Sequence, residues 1–220
     1  MTTESHSAAS ERQHAQVSSV VCAVAAGRDD LEAVRQAAVL AGPKGILEIL
    51  CVTYSGGVGA NATATISLPR AEAALESARR AAAELDVDAS ARLIHAPDAA
   101  SPWRAIHQAS AGHDLLVVGP HHGARTEGIL IGSVTTEALH RSDLPVLVAR
   151  RARTPFPERM VVATDGSPDS MRAADLAAGI AARHETSVEL VTVGTTQDRE
   201  HRHALGLEAA RLFEGTRNEP

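Results

Sequence analysis

Two rhythms of apolar positions alternate along the chain. Short, nearly unbroken apolar runs occur at Val20–Ala26 ("VVCAVAA"), Ile46–Val52 ("ILEILCV") and Leu115–Val118 ("LLVV"). Such runs read as strands buried on both faces of a parallel sheet. Between them, apolar residues recur every three or four positions. Ala71, Ala74, Leu75, Ala78, Ala82 and Leu85 share one helical face. A weaker strand is expected at Ala89–Ala96, a helix at about Pro102 to Ala111, a helix from about Ser133 to His140, and a last strand at Pro145–Ala149. Five strands alternating with helices imply right-handed crossovers. The expected fold is α/β: a Rossmann-like, doubly wound five-stranded parallel sheet of strand order 3-2-1-4-5.

The opening pattern recurs. "VVCAVAAGRDDLEAVRQAAVLA" (Val20 to Ala41) has a partner in "MVVATDGSPDSMRAADLAAGIA" (Met160 to Ala181), with Gly27 aligned to Gly166. Each copy reads as strand, glycine turn, capped helix and second strand. Asp29 with Glu32 fits a capping box in the first copy. Ser167 before Pro168 fits an N-cap and first helical residue in the second. The second strands are Ile46–Val52 and Ser187–Val193. In the later copy a polar loop follows, then a helix marked by Leu205, Ala209, Leu212 and Phe213 with Gly215 as its C-terminal cap. A full second copy would run to about residue 290. The expected organisation is a disordered tail at 1–16, rich in Ser, Thr, Glu and Gln, a complete domain at 17–150, a basic, Pro-bearing linker at 151–158, and a β-α-β-α half-domain at 159–220.

Composition narrows the material and the partners. Hydrophobic residues make up 44% of the 220 but aromatic residues only 2%, so Ala, Val, Leu and Ile must build the core. A net charge of -6 leaves no basic footprint for nucleic acid. No apolar run reaches the roughly 18 residues of a membrane helix. "VSSVVCAVAAG" (Val17 to Gly27) imitates a secretory signal, but the acidic and His-bearing segment before it is a poor positive leader, and the repeat assigns it to a strand. A cytoplasmic location is therefore expected. Cys22 and Cys51 lie inside apolar runs and read as small buried thiols.

The chemistry gathers at Gly119 to Val134, "GPHHGARTEGILIGSV", which leaves a strand and enters a helix. Here and in the repeat, the chain resembles the universal stress protein family. The resemblance covers residues 17–150 and, as an N-terminal half, 158–214. Nucleotide-binding members carry G-x-x-G, nine residues, then G-[ST]; the frame falls here on Gly119, His122, Gly132 and Ser133. The segment Ile129 to Arg150 matches at length. Gly119 ends a central strand at the topological switch point, where ligands of open α/β sheets sit. Gly132 and Ser133 open a helix whose free N–H groups favour phosphate oxygens. The resemblance implies an adenine nucleotide, ATP, lined by Ala25, Ala26, Val52, Gly119, His121, His122, Gly132, Ser133, Val134 and Thr135, with no metal required. Val52 would face the adenine.

Two departures weaken that site. His122 stands at the second loop glycine, with a glycine displaced to Gly123. A positive φ there would cost His less than a β-branched residue. At the end of the first strand, Ala26 is expected to replace an aspartate that relatives place near base and ribose. A lost hydrogen bond to a charged group is worth about 1.5–3 kcal/mol. The second copy keeps that aspartate as Asp165 in "TDGS" but has no glycine loop.

Other features read as structural. "SGGVGA" (Ser55 to Ala60) lacks the Asp and Ser of a pyrophosphatase loop and follows the wrong strand, so it is a flexible connection. His121 with His122, and His201 with His203, lack companion metal ligands at a known spacing. Trp103 reads as a helix-packing residue. No arrangement of nucleophile, base and orienting group points to catalysis. The resemblance implies a non-enzymatic stress-response regulator with a degenerate ATP site. The alternative is an interaction module that has lost ATP. In family members the last strand pairs across a dimer or between tandem domains, so homodimerisation through the Val146–Val148 edge is expected.

Overall fold

The structure, a computed structural model, describes residues 15–26, 31–54, 68–96, 102–119, 133–151, 155–192 and 199–213. Two compact units emerge: Val17–Pro157, and Met1–Gln16 with Glu158–Pro220.

In the first unit the elements run β1 (Ser19–Val24), α1 (Glu32–Ala41), β2 (Ile46–Tyr54), α2 (Leu68–Ala83), β3 (Ala89–Ala96), α3 (Pro102–Ala109), β4 (Leu115–Val118), α4 (Ser133–Arg141) and β5 (Val146–Val148). The strands form one parallel sheet in the order β3-β2-β1-β4-β5. The expected α/β fold and strand order are therefore observed.

β1 sits at the centre because it can be buried on every side. Val20, Val21 and Cys22 are completely inaccessible to solvent. Val20 lies opposite Leu47 on one side and Leu115 on the other. One sheet face gathers Val21, Leu50, Val52, Leu116 and Val118 under Trp103 and Ile106 of α3 and Ala138 of α4. Alternate strand positions point the other way, where α1 packs on β1 and α2 on β2 and β3. Trp103 is 5% exposed and belongs to this core, as its packing role required. Cys22 and Cys51 are free, buried thiols. Burial alone pushes the Cys22 thiol up to about 12.

Several local expectations shift. α2 ends at Ala83, and Asp86 turns the chain at φ 57. Leu85, expected on the buried helical face, therefore falls past the helix and is 39% exposed. α1 begins at Glu32 with Leu31 before it and no side-chain cap. The Glu32 carboxylate accepts a hydrogen bond from the Gln36 side chain at 2.8 Å. Asp29 lies outside the described residues, as do the tail at 1–14, residues 152–154 of the linker, the Ser55–Ala60 segment and Gly215.

The amino end of the sheet is tied by one carboxylate. Asp114, just before β4, accepts hydrogen bonds from the Ser18 N–H at 2.9 Å, the Ser18 hydroxyl at 2.9 Å and the Ser19 N–H at 2.8 Å. Its own N–H donates to the Ser19 carbonyl at 2.8 Å. β1 and β4 are thus pinned in register where they start. Burial raises the Asp114 pKa. The bonds from Ser18 and Ser19 and the neighbouring His113 outweigh it and hold the carboxyl below its ordinary value.

The second unit contains β6 (Arg159–Thr164), α5 (Pro168–His184), β7 (Ser187–Thr192), α6 (Arg199–Ala210) and a closing 3-10 turn at Arg211–Phe213. β6 and β7 form a two-stranded parallel sheet. The Ser167 side chain accepts from the Ser170 N–H at 3.3 Å, and Pro168 opens the helix, the cap expected there. Ala174, Ala178 and Ala181 form the buried stripe of α5. The single closing helix expected through Phe213 ends instead at Ala210, and the tighter turn carries Leu212 and Phe213. No helix among the described residues is long and apolar enough to cross a membrane.

Asp114→Ala is expected to destabilise the first unit by about 1.5–3 kcal/mol, since three hydrogen bonds to a charged acceptor are lost. Because the folded pKa is lowered, this contribution is present above the ordinary carboxylate range. It disappears as pH falls through the lowered folded value. Urea unfolding of wild type and Asp114→Ala at neutral and acid pH reads both effects; equal midpoints at neutral pH would contradict them.

Candidate functional site

The carboxyl ends of β2, β1 and β4 lie side by side. Ala23 is opposite Val118 and Val24 opposite Cys51, so Ala25, Val52 and Gly119 follow directly from neighbouring strands. Here the order of the sheet reverses: the chain leaves β1 toward β2 and β3, then returns to β4 on the other side. That switch point leaves a crevice between outgoing connections.

Among the described residues nothing requires glycine at 119: its φ is outside the left-handed region, and a Cβ built on it meets nothing within 4 Å. Thr135, in the first turn of α4, donates its hydroxyl to the Gly119 carbonyl at 3.1 Å and is 4% exposed. This bond holds the amino end of α4 against the end of β4. α4 opens at Ser133, which is exposed, while Val134 packs against the core beneath. The first-turn N–H groups of a helix lack intrahelical acceptors and carry partial positive charge. They suit phosphate or another anion.

The structure thus brings together Ala25, Ala26, Val52, Gly119, Ser133, Val134 and Thr135. His121, His122 and Gly132 lie outside the described residues. Val52, expected to face a base, is 7% exposed and belongs to the core cluster of the α3–α4 face. Ala25 is exposed and Ala26 half-buried. The Ala26 N–H bonds to the Cys51 sulfur, which lowers the Cys51 pKa against the larger raising effect of burial. At the same end of the sheet, Thr53 Oγ1 and His95 Nδ1 approach to 3.2 Å. This polar pair has no signature in sequence, because the register of β2 on β3 creates it.

Comparison of the two copies moves one assignment. β1 pairs Val21 with Glu48, and β6 pairs Val161 with Glu189. The buried stripe of α1 includes Val34, Ala38 and Ala41; that of α5 is Ala174, Ala178 and Ala181, each 140 residues later. On this spacing Asp165 corresponds to Ala25, and Gly166 to Ala26. Ala25 thus stands one residue before the position given by aligning Gly27 with Gly166. Aligning turn glycines alone conceals this, because the two turns differ: Gly166 has φ 82, whereas Ala26 has no positive φ.

In the later copy that turn is fully built. Asp165 Oδ1 accepts from the Ser167 N–H at 2.9 Å, and Thr164 Oγ1 accepts from the Gly166 N–H at 3.1 Å. The φ of 82 at Gly166 favours glycine, and a Cβ there would lie 2.5 Å from Leu205 Cδ2, so that side chain would have to shift. Hydrogen bonds from the Ser167 side chain and N–H, then Ser170, lower the Asp165 pKa to about 2. Among the described residues no group of three His, Cys, Asp or Glu side chains could hold a metal ion.

The sequence model of the universal stress protein family matches residues 17–150 and again residues 157–217. The chain belongs to the universal stress protein family. Universal stress proteins of Mycobacterium tuberculosis and Mycobacterium bovis are 43% identical over 51 residues, 23% of this chain and 17% of each relative. The chain therefore matches a small part of their length. A universal stress protein of Archaeoglobus fulgidus shares the fold, with TM-score 0.63 and 19% identity over 86% of this chain and 72% of its own. Another from that organism, solved in complex with dAMP, gives TM-score 0.45 and 20% identity over 60% of this chain and 97% of its own.

Gly119→Ala tests whether glycine serves the fold. With an ordinary φ and open space, the change is expected to leave stability unaltered or raise it by about 0.4–1 kcal/mol. A fall in thermal unfolding temperature would show that the fold needs this glycine.

Proposed function

We propose that the chain is a non-enzymatic, cytoplasmic stress-response protein that binds an adenine nucleotide weakly at the carboxyl ends of β1, β2 and β4. The observation that carries this reading is the Thr135–Gly119 bond. It holds a helix amino terminus beside a glycine that no described neighbour requires. The family supports the same ligand class, since its nucleotide-binding members use the frame occupied here by Gly119, Gly132 and Ser133. In this reading Ser133 and the first-turn N–H groups of α4 hold phosphate, Val52 borders the base, and Thr135 positions the helix. His121 and His122 occupy the loop between.

The weakness follows from Ala25, which presents a methyl group where Asp165 of the other copy presents a carboxylate. Replacing a charged acceptor costs about 1.5–3 kcal/mol, or about tenfold to hundredfold in affinity. Restoring it by Ala25→Asp is expected to tighten ATP or AMP binding by that factor, read by calorimetry. Gly132→Asp, which places negative charge next to Ser133, is expected to abolish binding, and Gly119→Ala to weaken it without loss of stability. At 100 times its dissociation constant a nucleotide adds about 2.7 kcal/mol of stability. No thermal shift at millimolar nucleotide, in wild type and Ala25→Asp alike, would leave the second reading: an interaction module without nucleotide.

We further propose homodimerisation through β5. Val146–Val148 pairs only with β4 among the described strands, so its outer edge offers unpaired backbone groups. Light scattering at tens of micromolar is expected to give a mass above that of the monomer; a strictly monomeric mass would refute it.

A further inference from the structure

β6 is a central strand in an edge position. Its counterpart β1 lies between β2 and β4. Among the described residues β6 pairs with β7 alone. Its sequence, "RMVVAT", is apolar on both faces, as central parallel strands are. It runs through six consecutive register pairs with no bulge, and it contains no Lys or Pro, so the usual protections of an edge are missing. The sheet face of Arg159, Val161 and Ala163 is also open: Val161 is 59% exposed and Val191, on β7, 37%. In the complete unit the matching face carries Val21 and Leu50, both at 0%, beneath α3 and α4.

The charges on this edge indicate what pairs with it. Arg159 begins the strand and Asp165 follows its end, both exposed and both on odd positions, hence on one side of the ribbon. A second β6 laid antiparallel, with Val162 opposite Val162, sets Arg159 of each copy against Asp165 of the other and Val161 against Ala163. The edge is self-complementary, as a two-fold contact requires. The outer edge of β7 is not: its single charge is Glu189, and self-pairing would draw two carboxylates together.

We propose that two copies of this chain join through β6, antiparallel about Val162, to form a four-stranded sheet β7-β6-β6-β7 closed by two Arg159–Asp165 ion pairs. The pairing extends the two-stranded sheet to four strands and gives partners to the backbone groups of its open edge.

The contact is read by cross-linking a Val161→Cys copy to an Ala163→Cys copy, from micromolar to millimolar concentration. The native thiols are buried. Cross-linking is expected in the otherwise unaltered chain. Adding Arg159→Asp to both copies should abolish it, as should Asp165→Arg in both. Mixing an Arg159→Asp copy with an Asp165→Arg copy should restore it, because each reversed charge then meets its opposite. Should Asp165→Arg disturb the turn that its carboxylate braces, Arg159→Asp alone decides, by losing the cross-link while keeping a native circular dichroism spectrum. Absence of the cross-link at every concentration, or its survival of the Arg159 reversal, overturns the proposal.

Discussion

Removal of β1 from water on both faces and at both edges is the constraint on which the first unit depends. A parallel strand so placed must be apolar throughout, and each backbone N–H and carbonyl must find a partner on β2 or β4. Val20, Val21 and Cys22 meet the first demand completely. Asp114 secures the second where β1 and β4 begin, by accepting from Ser18 and Ser19 while its own N–H donates to Ser19. With that end anchored, the other ends of β1, β2 and β4 come level at the switch point.

Within the crevice, positioning and binding fall to different groups. Thr135 is buried and spends its hydroxyl on the Gly119 carbonyl, so it orients α4. Ser133 is exposed at the start of that helix, where the dipole and free N–H groups act on whatever lies in front. Ala25 is exposed on the facing strand end and offers neither charge nor hydrogen bond. In the proposed reading the site offers a helix amino end to an anion and only the Ala25 methyl group to a ribose or base.

The two copies show what one sheet edge is worth. Glu48, in β2, meets Arg92 at 2.8 Å and His113 at 3.5 Å, partners supplied by β3 and the approach to β4. Glu189 holds the same register on β7, yet it is exposed. The same separation holds for apolar residues: Val21 is sealed, while Val161 is largely in water. Identical local sequence logic therefore yields a core in one unit and a surface in the other.

The apolar pattern determined the type and order of nearly all the elements, because unbroken apolar runs and apolar repeats of three to four residues report directly on how each segment is buried. The Ser167–Pro168 cap was equally legible, since its hydrogen bond spans only three residues. Leu85 was misplaced because a helical stripe does not announce where the helix stops; the turn at Asp86 does. The correspondence of Ala25 with Asp165 emerged only from comparing the packed elements of the two copies, a relation between residues distant in sequence. The Thr135–Gly119 bond, the Asp114 anchor and the Thr53–His95 pair were likewise invisible along the chain, since each joins segments that meet only when the sheet assembles. Local burial patterns are written in sequence because every residue carries its own hydrophobicity. Which polar groups face one another is decided by strand register and helix placement, and those exist only in the folded molecule.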